Sequence, residues 1–234
     1  MATPIAVLFD IDETLVHTGG AGARSWTWAF EQLYGVPADI GAHTSAGETD
    51  PQVGRATFRG VLGREPGHDE LARLYAQYLW HLSEDIWVSP AYRVLDGAEK
   101  LLTRLAEAGV ILGVTSGAME GAARIKLEPG KLNRYFVFGA YGSDSPDRIE
   151  LTRLGIAKAA RIHGRDLPAQ QVYVVGDTPL DIAAGRAAQA TIVGVASGHY
   201  SVEDLRAAQA DYVLRSLADP FPGLGDGKAG KESG

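Results

Sequence analysis

The chain has 234 residues, 45% of them hydrophobic and 22% charged, with a net charge of −7. This composition excludes a disordered or fibrous chain, and the acidic balance argues against nucleic-acid binding, which needs clustered Lys and Arg. The absence of cysteine excludes disulfides, thiolate zinc sites and Cys nucleophiles. No run approaches the ~18 apolar residues of a membrane span. The first apolar run, residues 5–9, is also too short for a signal peptide. A cytoplasmic protein that binds no nucleic acid and no membrane is expected.

In chain order, residues 5–9 form a short apolar run ended by Asp10, which reads as a strand buried on both faces. From Leu15 to Pro90 the pattern is helical and no strand is expected. Trp26, Ala29, Phe30 and Leu33 mark one helix, stopped by Gly35 and Pro37. Asp50 and Pro51 are an N-cap and first-turn pair for a second helix carrying Val53, Ala56 and Val61. A stripe from Leu71 to Ile86 marks a third. The four tryptophans in this region are expected in its core or at its seam with the rest. The glycines of residues 17–22 read as a flexible flap. The loop at residues 42–50 reads either as an ordinary helix–helix connection or, through Thr44, Thr49 and the following Arg55, as one placed to touch a ligand.

Beyond Pro90 the pattern changes. A helix opens at residues 96–98 and carries Leu101, Leu102 and Leu105. Strands are expected at residues 110–114, 172–175 and 191–195, with weaker ones at 135–138 and 211–214. Pro179 and Ser201 start further helices. Short apolar strands alternating with helices mean a parallel sheet with helices on both sides. The expected organisation is an α/β core of residues 1–15 and 91–219, an inserted helical unit of residues 16–90, and a flexible, Gly-rich tail of residues 220–234.

Ligands of open α/β sheets bind beyond the carboxyl ends of the strands. Asp10 and Asp12 follow the first strand, Thr115, Ser116 and Gly117 follow the second, and Asp177 and Asp181 follow the strand at 172–175. Converging carboxylates repel. A hard divalent cation relieves that conflict, and Mg²⁺ suits carboxylates plus a phosphate substrate. None of the six histidines pairs at metal-ligand spacing.

The motifs DIDETL (residues 10–15), Thr115 behind an apolar strand, and GDTPLD (residues 176–181) resemble motifs I, II and IV of the haloacid dehalogenase superfamily, in particular its phosphoglycolate-phosphatase-like hydrolases. The resemblance covers roughly residues 5–214. It implies a Rossmann-like three-layer α/β/α core with strand order 5-4-1-2-3 and a helical cap between motifs I and II. It implies Asp10 as nucleophile and Asp12 as acid and base, whose backbone carbonyl also binds metal. Asp10, Asp12 and Asp177 would hold Mg²⁺, with Asp181 acting through water or as an orienting group. Thr115, with Ser116 and Gly117, would bind the phosphoryl group. Asp12 argues for phosphoryl transfer over dehalogenation.

Two features depart from the family pattern. Glu13 stands where many members have Gly. No Lys-Pro occurs for motif III, and the basic residue there is Arg148, with Arg153 and Lys158 as fallbacks. The implied function is Mg²⁺-dependent hydrolysis of a small phosphorylated metabolite through an aspartyl-phosphate, by a monomer or homodimer. A phosphomutase or other phosphotransferase on the same scaffold, and a non-catalytic phosphate-binding regulator, are the alternatives.

Overall fold

The computed structural model describes residues 3–225. Its central strand, β1 (Ala6–Phe9), is buried along its whole length. Alternate residues of a strand face opposite ways. Val7 and Phe9 pack with α4 (Ala98–Glu107) and α5 (Glu120–Leu127), whereas Ala6 and Leu8 pack with Ala159 of α6 (Arg148–His163). An uninterrupted apolar run follows from that two-sided burial.

The other parallel strands are β4 (Ile111–Ser116), β5 (Phe138–Tyr141), β6 (Val172–Gly176), β7 (Thr191–Val195) and β8 (Tyr212–Leu214), in the order β5-β4-β1-β6-β7-β8. Counted along the parallel core, this is the expected 5-4-1-2-3 arrangement with a sixth strand added beside the fifth. The weaker candidate at residues 211–214 is that sixth strand. The candidate at 135–138 lies three residues downstream instead. Residues 132–135 form a 3₁₀ turn and Val137 is 75% exposed, so pairing starts only at Phe138.

The register positions the site. Phe9 lies beside Val114 on one side and Val175 on the other, so the chain leaves β1, β4 and β6 at one level. The Asp10 N–H donates to the Val175 carbonyl at 2.8 Å, which carries the pairing one residue past β1.

Between β1 and β4 lie α1 (Ala21–Tyr34), α2 (Asp50–Leu62) and α3 (His68–Val88). Trp26 of α1 stacks on Tyr78 of α3 with ring centroids 4.2 Å apart, and Phe30, Tyr34 and Phe58 complete an aromatic core. Trp80 and Trp87, expected inside, are instead 58% and 62% exposed, because they sit off the stripe that runs from Leu71 to Ile86. A two-stranded antiparallel ribbon, β2 (Val16–His17) with β3 (Arg93–Val94), flanks the helices. Two-residue strands carry no periodicity, so the sequence shows no sign of them. The cap of α2 is Thr49, in a capping box with Gln52, and Asp50 is its first residue. The Asp50 side chain is therefore released from capping, and it accepts the Met119 N–H across the seam at 2.8 Å.

The start of the expected tail is ordered into the fold. Phe221 is buried with its ring 6.1 Å from Tyr173 of the inner strand β6, because an aromatic side chain gains more by burial against the sheet than by fraying. Residues 226–234 of that tail lie outside the described residues. Gly97 caps α4 with φ +79°, and a Cβ there would overlap the Ala218 backbone. Backbone cannot give way as a side chain end can. Gly97→Ala is expected to cost about 1–3 kcal/mol, seen as a lowered thermal midpoint.

Candidate active site

Asp10 is the focus of the strand ends. It is 7% exposed, and Asp177 and Asp181 are 4% and 3% exposed. Oxygens of the three carboxylates lie within 4.8 Å of one another. The Arg148 Nη2 stands 3.5 Å from Asp10 Oδ1 and also pairs with Asp181. Arg148 reaches in because it is the first residue of α6, behind the N-cap Asp147, whose side chain accepts the Ile149 N–H at 2.8 Å. The other two basic candidates point elsewhere. Arg153 donates to the Ala187 carbonyl, and Lys158 to the Gly139 carbonyl with Asp144 beside it.

Both Asp181 oxygens are engaged. One takes Arg148, and the other accepts the Thr178 hydroxyl at 2.7 Å and its N–H at 3.2 Å. The Thr14 hydroxyl donates to Asp177 at 3.3 Å. Ser116 and Gly117 border a cavity of about 510 Å³ over these groups, together with Asp10, Asp12, Arg148 and Asp177. Thr115 does not line that cavity. It is buried in β4 beside Ala140 of β5, one residue before Ser116 ends that strand beside Tyr141. The hydroxyl facing Asp10 is that of Ser116.

Glu13 occupies a left-handed conformation, with φ +56°. Glycine adopts this conformation without strain, which explains the physical preference for it at this turn. Glu13 is held there by neighbours: its carbonyl accepts the Ser197 hydroxyl at 2.5 Å, and its carboxylate meets His17 Nδ1 at 2.6 Å.

Two charged residues join the site that sequence reasoning did not assign to it. The Lys126 ammonium, on a side chain only 8% exposed, donates to Asp12 Oδ2 at 2.6 Å. A lysine near the end of α5 reads as an ordinary helix-terminus cation, and nothing in the sequence ties it to a residue 114 positions away. Asp50 reads as a cap but is buried at the cavity wall.

The electrostatics follow from this crowding. Burial pushes the Asp177 carboxyl up to about 8, with Asp10 adding to the effect. Burial also raises Asp10, against the pull of Arg148 and with Asp12 adding to the rise. Burial lifts Asp50 to about 6, with Lys126 opposing. Burial alone disfavours the Lys126 ammonium, but Asp12, Tyr78 and Asp50 outweigh it and keep the group charged.

For Asp177 the unfolded chain releases its proton near pH 3.8, whereas the folded site keeps it to about 8. Over that range the folded state binds more protons, so stability falls as pH rises. With a chelator present, the thermal midpoint is expected to drop between about pH 4 and pH 8. An added divalent cation should oppose the drop most strongly at the high end.

The donor set fits such a cation. Asp10 and Asp177 offer hard oxygen ligands in a buried, mutually repelling pair, the arrangement a divalent ion relieves.

Comparison with known proteins agrees with this geometry. Residues 6–189 match the haloacid dehalogenase-like hydrolases. A phosphoglycolate phosphatase of Rhodospirillum rubrum is 34% identical over 235 residues, covering 95% of this chain and 90% of its own. A pyrophosphatase, PpaX, of Listeria monocytogenes is 25% identical over 220 residues, covering 91% of this chain and 93% of its own. The crystal structure of a predicted phosphoglycolate phosphatase from Haemophilus somnus superposes with a TM-score of 0.74 at 20% identity, over 94% of this chain and 97% of that one. With the strand order, the buried aspartates and the match over most of the chain, the protein belongs to the haloacid dehalogenase-like hydrolase family and is a hydrolase of the phosphatase type.

Proposed function

We propose that the protein is a Mg²⁺-dependent phosphatase of small phosphorylated metabolites that works through a phosphorylated Asp10. The observation that carries this reading is the placement of the Asp10 carboxylate among Arg148, Asp177 and the Ser116–Gly117 turn, at the floor of one cavity. Asp10, Asp177 and the Asp12 backbone carbonyl would hold the ion, which when bound neutralises phosphoryl charge.

The chain's own groups supply the rest. A carboxylate needs no deprotonation to attack phosphorus, so Asp10 acts as nucleophile. Asp12 lies two residues on and borders the same cavity. It gives a proton to the leaving oxygen and then takes one from the attacking water. Arg148 fills the place of the family's lysine: its planar guanidinium spans Asp10 and Asp181 and would neutralise a phosphoryl oxygen. We place the phosphoryl contact on the Ser116 hydroxyl and the Gly117 turn, since Thr115 stands back in the strand. Asp181 orients Arg148. Residues 16–90 act as a cap, because Trp26, Asp50 and Tyr78 roof the same cavity. Small phosphate monoesters such as phosphoglycolate and sugar phosphates are the substrates to compare.

The test is phosphate release across a panel of such esters, with and without Mg²⁺. Release that stops on chelation and returns with Mg²⁺ is expected. An unchanged rate after chelation would overturn the metal assignment.

A further inference from the structure

The cavity has two sides, divided by Asp10. On one side Arg148 pairs with both Asp181 and Asp10. On the other side Asp12 pairs with Lys126, and the roof above them is Asp50, Tyr78 and Trp26. The leaving oxygen of a substrate must reach Asp12, so the departing alcohol lies on the second side. This step rests on the phosphatase reading above.

Among the described residues that line it, that compartment holds no free lysine or arginine. The ammonium beside Asp12 is that of Lys126, held by that carboxylate at 2.6 Å and also drawn on by Asp50. Among the described residues that line the whole cavity, the lysine and arginine side chains are Lys126 and Arg148, with His17 held by Glu13 and His199 beside them, against Asp10, Asp12, Glu13, Glu48, Asp50 and Asp177. A divalent cation leaves this wall still negative.

The start of α2 offers an anion nothing either. The Asp50 N–H is taken by the Gly117 carbonyl at 2.8 Å, and Pro51 has no N–H. Arg55 and Arg59 of α2 line a different cleft, of about 880 Å³, which shares Arg148 with the cavity but not Asp12. An anionic leaving group drawn there would sit out of reach of the acid. What the compartment does offer is the stacked Trp26–Tyr78 pair and carboxylates able to accept hydrogen bonds.

We infer that the preferred substrate is a phosphate monoester whose alcohol carries no negative charge, hydroxylated or cationic, rather than one bearing a carboxylate or a second phosphate. Like charges facing each other across a contact are disfavoured, so the discrimination should be visible in kcat/KM.

The deciding comparison is a matched pair, 2-hydroxyethyl phosphate against phosphoglycolate, with pyrophosphate alongside, all at saturating Mg²⁺. The neutral ester is expected to win by about tenfold or more. Asp50→Asn keeps the oxygen that accepts the Met119 N–H but removes one of the carboxylates that share Lys126. It is expected to shrink that preference mainly through a lower KM for phosphoglycolate, with a thermal melt confirming the fold. Equal or faster turnover of phosphoglycolate or pyrophosphate by the unaltered protein overturns the inference. So does an Arg55→Ala variant that selectively slows phosphoglycolate, since that would place the leaving group in the arginine cleft. Release of phosphate from none of the esters would instead sink the phosphatase reading itself, and this inference with it.

Discussion

Asp10→Asn is expected to abolish phosphate release while leaving the protein folded. The amide matches the carboxylate in size, but its oxygen is a poor nucleophile and it forms no acyl phosphate. Removing a covalent nucleophile costs on the order of 10⁴-fold or more in turnover. The same change removes one of three buried carboxylates whose oxygens lie within 4.8 Å of one another. Burial disfavours the ionised form of Asp10. With a chelator present, the variant should therefore melt no lower than the unaltered protein. Phosphate release by a radiolabelled or coupled assay, and a thermal melt of the same sample, read both effects. Residual turnover near the parent rate would remove Asp10 from the role of nucleophile.

Arg148→Ala should damage both stability and activity. The guanidinium lies between Asp10 and Asp181, on a side chain 12% exposed. Deleting one partner of a buried ion pair leaves its counter-charges uncompensated, at about 3–5 kcal/mol. In a chain of this length that corresponds to a midpoint lowered by roughly 10 °C. The deficit has a sign in pH. Without the cation, the facing carboxylates hold their protons to higher pH, so the loss should be smaller at pH 5 than at pH 8. Arg148→Lys retains the charge but loses the forked geometry, and it should recover stability better than turnover. Equal melting of Arg148→Ala and its parent at pH 8 would show that the pair does not support the fold.

Much of this arrangement was legible from the sequence, and the reasons are physical. Buried parallel strands are short apolar runs, and the residues behind them must meet where the strands end. Asp10, Asp177 and Asp181 follow directly from that rule. Arg148 was within reach through the family resemblance, which puts a basic residue before the helix that leads to GDTPLD. What escaped has a common cause. Lys126 and Asp50 belong to the site only through contacts between α5, α2 and the Asp12 turn, which no local pattern encodes. The choice between Thr115 and Ser116 depends on which face of a strand end meets the cavity, and a one-residue difference reverses it. The β2–β3 ribbon and the shift of β5 fell below the length at which periodicity can be read.

The start of α2 is fastened to the turn after β4 at two points: the Asp50 amide on the Gly117 carbonyl, and the Asp50 carboxylate on the Met119 amide. That turn is also the one that would cradle the phosphoryl group. The helices cannot swing outward while both clasps hold, and releasing them frees the cradle at the same moment. In the proposed reaction, product escape and loosening of the phosphate's grip would then be a single movement, set by one aspartate on the roof.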